Sequence, residues 1–290
     1  MLVTKGFISS GGLKIYYEIE GEGQPLVLLS GGPGFSHAYF QPLHALAPDA
    51  RLIFYDQRGT GRSDKASPQD YTVEANVEDL EQLRRELELD SCIVLGHSWG
   101  GMLAQAYVLK YPAHVSKLIL ADTFSSIADL TLFLMRIRNA VPEETRAIYD
   151  RHEREGLYKD RDRYPDEYDA AVWIAWEPVW LNIPPPQWLQ DVLSEGAWDI
   201  DRAMRGEESA FRITGTLAQF DVSGRLHEIR VPTLVIVSTC DMPTVAMAQE
   251  MARLIPNARL ELFEHSRHFP FIEEPDKFLN LIREFIKGKP

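Results

Sequence analysis

Cysteine is scarce in this chain, whose 290 residues include only Cys92 and Cys240. Two cysteines are too few for a disulfide framework, and they lack the close spacing of metal-binding motifs. Both are expected at strand ends near the candidate active site, so a disulfide bond between them is kept as an alternative. We expect a reducing compartment, no metal and no cofactor.

Long apolar runs and an excess of basic residues are also missing. No stretch reaches the roughly 18 apolar residues that span a membrane, and residues 1–10 lack a secretory pattern. Thirty Lys and Arg residues stand against 43 Asp and Glu, a net charge of -13 that repels phosphate backbones. We therefore expect a soluble, cytoplasmic protein with neither a membrane nor a nucleic-acid partner.

The most informative motif lies at residues 96–101, which read Gly-His-Ser-Trp-Gly-Gly. It follows an apolar run at 92–95 and precedes a helix-like stretch at 102–110. A serine exposed at the tip of a tight strand-to-helix turn needs glycine two residues away on each side. The spacing therefore predicts a nucleophile elbow at Ser98; the alternative is a glycine-rich turn with an idle serine.

An activated serine needs an acid and a base, which follow it in the order Ser, Asp or Glu, His. Residues 233–237 predict a buried strand that delivers Asp241 just past its end. A second strand pattern at 259–263 leads into a loop with two histidines. We prefer His268 to His265 as the base because it lies deeper in the loop, and partly because of the family pattern below. The other histidines are expected to be surface or structural residues.

An oxyanion hole requires backbone donors aimed at the substrate carbonyl oxygen. The residue after the nucleophile, Trp99, offers one amide, and the Gly-rich loop at 30–34 offers another at Gly32. A phosphate-binding loop is a weak rival, because the run lacks the Gly-Lys-Ser/Thr ending and the spacing of a dinucleotide fingerprint.

Strand and helix patterns alternate from about residue 7 to 121 and again from 231 to 286. This rhythm predicts an α/β fold with a mainly parallel sheet flanked by helices. The intervening residues show helical patterns only. We therefore expect a core domain at 1–122 and 231–290, with an inserted helical cap at 123–230.

Five of the six tryptophans lie in the expected cap. Trp173, Trp176 and Trp180 are spaced to share one helix face. Such a stripe favours packing between cap and core over substrate contact, although one surface could do both.

Taken together, the chain resembles the α/β-hydrolase superfamily, and within it the proline iminopeptidase branch. The motifs that carry the resemblance are Gly31-Gly32-Pro33-Gly34, the segment from Tyr55 to Ser63, the elbow at Ser98, Ile213-Thr214-Gly215-Thr216, and the Asp241 and His268 loops. The resemblance implies a triad of Ser98, Asp241 and His268, with Gly32 and Trp99 as oxyanion donors. The segment 56–63 has a structural role in that pattern.

Two departures from the family pattern concern the substrate. Family members that remove an N-terminal residue hold its amine with acidic side chains at places that here hold Ala210 and Met242. Glutamates elsewhere in the cap could substitute for them. The tentative substrate-binding residues are Phe35, Trp173, Trp176, Glu177, Glu207, Glu208, Met242 and Phe269.

The predicted function is that of a serine hydrolase which cleaves a small, largely apolar ester or amide through an acyl-enzyme. The alternative is a true prolyl aminopeptidase or amino-acid amidase with relocated acidic residues. A non-catalytic hydrolase-fold receptor is the third possibility. The expected partner is a small-molecule or short peptide substrate, and the oligomeric state stays open.

Overall fold

The structure is a computed structural model that describes residues 3–156, 166–241 and 243–288. Its centre is one eight-stranded sheet with the strand order β1-β2-β4-β3-β5-β6-β7-β8. The strands are β1 (Thr4–Ser10), β2 (Leu13–Glu20), β3 (Pro25–Leu29), β4 (Arg51–Tyr55), β5 (Cys92–His97), β6 (Val115–Ala121), β7 (Thr233–Ser238) and β8 (Ala258–Phe263). Strand β2 pairs antiparallel with β1 and β4, and all other pairs are parallel. The predicted, mainly parallel sheet is confirmed.

Helices cover both faces of this sheet. They are α1 (Val73–Glu86), α2 (Trp99–Lys110), α3 (Ile127–Ala140), α4 (Glu143–Arg154), α5 (Asp166–Trp180), α6 (Gln187–Ser194), α7 (Trp198–Arg205), α8 (Val245–Leu254), α9 (Pro270–Glu273) and α10 (Pro275–Ile286). A 3-10 helix, His37–Leu46, follows β3. None of the helices among the described residues is long and apolar enough to cross a membrane.

The two faces of the sheet bury separate apolar clusters, because successive side chains of a strand point to opposite sides. In β3, Val27 and Leu29 join the cluster that includes residues of α1, α2 and α8. Leu26 and Leu28 join the one formed with α10 and the 3-10 helix. Burial on both faces explains why β3, β5 and β7 are almost continuously apolar.

The chain between β6 and β7 carries α3 to α7, and we call residues 123–230 the helical segment. Its helices enclose a third apolar cluster, which includes Phe133, Tyr149, Tyr168 and Phe211. The helical segment therefore has an apolar centre apart from the two faces of the sheet.

The parallel strands carry their loops to one edge of the sheet. The residues that follow β3, β5, β7 and β8 include Gly32, Ser98, Asp241 and His268 respectively. Carboxyl ends of neighbouring parallel strands are the usual place for a binding site in such sheets. The topology thus gathers the predicted chemistry at one edge.

Candidate active site

Ser98 lies at a sharp turn between β5 and α2, with a φ of 57° that is rare outside glycine. Its N–H donates a hydrogen bond to the carbonyl oxygen of Ala121 at 3.0 Å. A Cβ on Gly96 would lie 2.2 Å from the Gly100 oxygen, and one on Gly100 would lie 1.9 Å from the Leu29 oxygen. Both glycines are therefore required by the close approach of the backbone, as the elbow motif predicts.

His268 and Asp241 form a buried pair. His268 Nδ1 lies 2.9 and 3.0 Å from the two carboxylate oxygens of Asp241. Burial lowers the pKa of His268 from 6.5 to about 3, so the imidazole is neutral near pH 7 and can accept a proton. His265 is exposed, and its backbone N–H is bonded to Glu274. Of the two loop histidines, the structure thus pairs His268 with the acid.

Ser98 and His268 line the same cavity, which has a volume of about 600 Å³. Among the described residues, no hydrogen bond joins their side chains. Such bonds are often long in the absence of substrate and shorten in the complex. The cavity size is in the range of small-molecule sites.

Gly32 and Trp99 line this cavity beside Ser98. Neither backbone N–H has an acceptor within the described part of the chain, which is the condition that an oxyanion donor must meet. The Trp99 indole donates to Gln57 Oε1 at 2.7 Å, and Gln57 Nε2 donates to the Ser30 carbonyl at 3.0 Å. Gln57 therefore ties the elbow to the glycine loop, a connection that the sequence did not reveal.

Aromatic side chains dominate the cavity wall. The aromatic lining residues are Phe35, Tyr39, Trp99, Phe124, Trp173, Trp176, Trp180 and Trp198. Trp180 also packs edge-on against Phe269, with ring centroids 4.9 Å apart. The tryptophan face of α5 thus serves both packing and cavity lining, whereas the sequence favoured packing.

Several tentative substrate-binding residues do not lie in the cavity lining. Glu177, Glu207 and Glu208 are exposed. In α5 the tryptophans occupy the face toward the cavity, which leaves Glu177 outside it. Glu207 pairs with Arg202 at 3.1 Å. Phe269 is fully buried beneath the His268 ring rather than at the cavity surface. Met242 lies outside the described residues.

Other charged residues, which the sequence did not indicate, do line the cavity: Asp169, Asp201, Arg202 and Arg205. Arg205 lies 3.6 Å from Asp201. Asp169 precedes Trp173 by four residues and Trp176 by seven, a spacing that puts all three on one face of α5. That spacing is the signal that could have identified Asp169.

His97 connects three parts of the site beneath the cavity. Its Nε2 lies 2.6 Å from the His268 carbonyl oxygen, and its Nδ1 lies 2.6 Å from the Tyr39 hydroxyl. Burial holds the pKa of His97 well below its ordinary value, so the ring is neutral. Because a carbonyl only accepts, Nε2 carries the hydrogen and the Tyr39 hydroxyl donates to Nδ1. His97 is thus a structural histidine that supports the base loop.

The cysteines are both free. Cys240 follows β7, but Cys92 begins β5 at the end away from Ser98, and burial raises its pKa to about 12. The expectation that both lie near the site was wrong for Cys92, because the chain enters β5 at the opposite edge of the sheet.

Comparisons of this chain with a family model, with known sequences and with solved structures agree with one another. A family model described as alpha/beta hydrolase fold matches residues 24–275. The chain is 36% identical to a proline iminopeptidase of Saccharolobus solfataricus over 98% of its own length and 92% of the relative. It is 34% identical to a proline iminopeptidase of Clostridioides difficile, covering 99% of each chain. The crystal structure of a Mycobacterium smegmatis proline iminopeptidase superposes with a TM-score of 0.85 at 26% identity, covering 98% of both chains.

Proposed function

Because this chain belongs to the α/β-hydrolase fold family, we propose that it is a serine hydrolase that cleaves a small, largely apolar ester or amide through an acyl-enzyme. At the coarser level it is a proline iminopeptidase-like hydrolase. The observation that carries the finer proposal is the geometry of Ser98. Its strained turn opens into the cavity that is also lined by His268, the buried partner of Asp241.

In the proposed reaction, Ser98 Oγ attacks the substrate carbonyl carbon while His268 Nε2 accepts the serine proton. Asp241 orients the imidazole through Nδ1, and the amides of Gly32 and Trp99 bind the oxyanion. His268 then returns the proton to the leaving alcohol or amine as the scissile bond breaks. Water hydrolyses the acyl-Ser98 ester by the same steps, which restores the serine.

We assign residues 123–230 as a cap on a core domain formed by 1–122 and 231–290. Support comes from the cavity wall, in which α5 and α7 supply Trp173, Trp176 and Trp198. Ser98 and His268 come from the sheet edge opposite these helices. In this arrangement the core supplies the catalytic residues, and the cap determines which acyl and leaving groups fit the cavity.

The substrate assignment follows from the cavity lining. Ala210 lines the cavity at a place where the family's amine-binding pattern has an acidic side chain. The tryptophan rings offer an ammonium group cation–π attraction, but they do not replace the hydrogen bonds to water that it loses on entering the cavity. An ester or a neutral amide avoids this cost, so the proposed site does not require a free amine.

A second candidate is cleavage of an N-terminal prolyl residue whose ammonium is bound by Asp169. The cavity lining has two carboxylates, Asp169 and Asp201, and their surroundings favour Asp169 as the ammonium partner. Asp201 lies beside Arg205, whereas Asp169 lies on the tryptophan face of α5. This version also matches the activity named for the relatives.

A parallel assay separates these versions. It uses p-nitrophenyl esters and prolyl arylamides with free and blocked amines, together with Asp169→Asn and, as a control, Glu208→Gln outside the cavity. We expect esters and blocked amides to have the higher kcat/KM in the wild type. A free-amine preference lost in Asp169→Asn and kept in Glu208→Gln would establish the second candidate instead. Turnover of these substrates that survives in Ser98→Ala would contradict both.

A further inference from the structure

The end of β6 carries a buried carboxyl group that the proposed reaction does not use. Asp122 is 1% exposed and has a φ of 46°. Its side chain accepts hydrogen bonds from the Ser238 backbone N–H at 2.7 Å and the Ser238 hydroxyl at 3.2 Å. Ser238 in turn accepts a hydrogen bond from the Asp241 N–H at 3.2 Å. Asp122 therefore fastens the end of the strand that delivers Asp241.

The Asp122 carboxyl group also lies beside that of Asp241, and both are buried. Two neighbouring buried carboxylates repel each other when both are ionised, which favours a proton on one of the two. Burial, and then the charge of Asp241, raise the pKa of Asp122 well above its ordinary value. Both oxygens of Asp241 face His268 Nδ1, at 2.9 and 3.0 Å, and this geometry also favours Asp122 as the carrier of the proton.

The groups around this pair agree with that assignment. Among the described residues, the titratable side chains nearest to it are His268 from the loop after β8 and Tyr39 from the 3-10 helix, with His97 from β5 packed against the His268 ring. Both histidines have lowered pKa values caused mainly by burial, and neither is a fixed cation that could neutralise a second carboxylate.

The same strand end also holds the nucleophile. The Ser98 N–H donates to the Ala121 carbonyl at 3.0 Å, and the Thr123 hydroxyl donates to the Ser98 carbonyl at 2.7 Å. Residues 121–123 thus contact the elbow on one side and the acid on the other. A small displacement here would move Ser98 relative to Asp241.

We propose that Asp122 is a positioning residue: a neutral carboxylic acid whose O–H donates to the Asp241 carboxylate and holds it toward His268. The proposal rests on the proposed serine hydrolase function for the role of Asp241. It assigns Asp122 no contact with the substrate. Its effect on turnover is indirect, through the orientation of the acid and hence of the base.

The test compares Asp122→Asn with Asp122→Gly. Asparagine tolerates the positive φ, can accept from the Ser238 N–H and can donate to Asp241, whereas glycine tolerates the φ but loses both bonds. We expect Asp122→Asn to keep kcat/KM within about threefold and the acid limb of its pH profile at the wild-type position. Asp122→Gly should lower kcat about tenfold or more at similar KM, since a buried hydrogen bond to a charge is lost. Circular dichroism at the assay temperature checks that both variants are folded.

An infrared difference spectrum gives a readout that does not depend on turnover. The wild type at neutral pH should show the carbonyl band of a protonated carboxylic acid that is missing in Asp122→Asn and present in Ser98→Ala. Absence of that band, or an acid limb shifted to lower pH in Asp122→Asn, would show that Asp122 is ionised and overturn the proposal. Wild-type kcat in Asp122→Gly would overturn it as well. If the band is present but no turnover depends on Ser98, it is the proposed function that fails.

Discussion

The backbone N–H of His268 donates a hydrogen bond to the carbonyl oxygen of Trp180 at 3.2 Å. The two rings also lie close, with centroids 5.6 Å apart. Beside them, Arg267 Nη1 donates to the Leu181 carbonyl at 2.8 Å. The helical segment therefore holds the loop that carries the proposed base as well as lining the cavity.

Replacement of Trp180 should affect both binding and the proposed base. Trp180→Ala keeps the backbone hydrogen bond but removes the ring that packs on His268 and Phe269. We expect kcat to fall about tenfold and the protein to lose about 2 kcal/mol of stability. The control is Trp173→Ala, because Trp173 lines the cavity yet is 50% exposed; it should raise KM with little change in kcat. Identical kinetic effects of the two variants would contradict a specific role of the Trp180 ring in supporting His268.

The elbow glycines give a steric prediction. A Cβ on Gly100 would meet the Leu29 and Ser30 oxygens at 1.9 and 2.8 Å, whereas one on Gly224 would meet nothing within 4 Å. Gly100→Ala should therefore cost about 3 kcal/mol of unfolding free energy and displace Ser98. Gly224→Ala should stay within about 0.5 kcal/mol of the wild type. Thermal melts of both variants test this, and equal stability would refute the proposed close approach.

The pH dependence of activity follows from the burial of His268. Protonation removes the base, and burial lowers the pKa of this histidine from 6.5 to about 3. Activity should consequently persist to lower pH than an ordinary histidine would allow. The acid limb of kcat/KM, measured on a substrate without ionisable groups, should have its midpoint below pH 6.5. A midpoint at or above that value would contradict the buried, neutral base.

His97 makes a related prediction about stability. Its folded-state pKa is lowered by burial, so between this pKa and 6.5 the unfolded chain binds a proton that the folded protein excludes. Its contribution to stability is present above pH 6.5 and is lost as the pH falls. His97→Gln removes this proton uptake, so its Tm should fall less than that of the wild type between pH 7 and 5. A steeper fall in the variant would contradict a neutral, buried His97.

The sequence predicted the parts of the site that depend on local geometry. Glycines two residues on either side of Ser98 and apolar runs buried on both faces are constraints that neighbouring residues alone impose. The parallel order then brings the ends of β5, β7 and β8 together. For this reason the sheet agrees with the prediction, and the structure places Asp241 beside His268.

Residues that join distant segments were not predictable in the same way. Gln57 and Asp122 have partners far along the chain, Trp99 and Ser238. Gln57 lies in the segment 56–63, whose structural role the resemblance implied, but the local sequence identifies neither partner. Glu177 faces solvent although it directly follows Trp176, which lines the cavity. Neighbouring positions of a helix point in different directions, so closeness in sequence did not place Glu177 in the cavity. Asp169 shares the tryptophan face and could have been found from its spacing.

The most direct test of the central claim is labelling by a serine-directed fluorophosphonate, followed by peptide mass spectrometry. Ser98 is predicted to be the modified residue, because its hydroxyl lies in the cavity with His268 and beside the amides of Gly32 and Trp99. The label should be lost in Ser98→Ala and strongly slowed in His268→Ala, in proportion to the loss of turnover. A stoichiometric label on another residue, or turnover that survives in Ser98→Ala, would contradict the account.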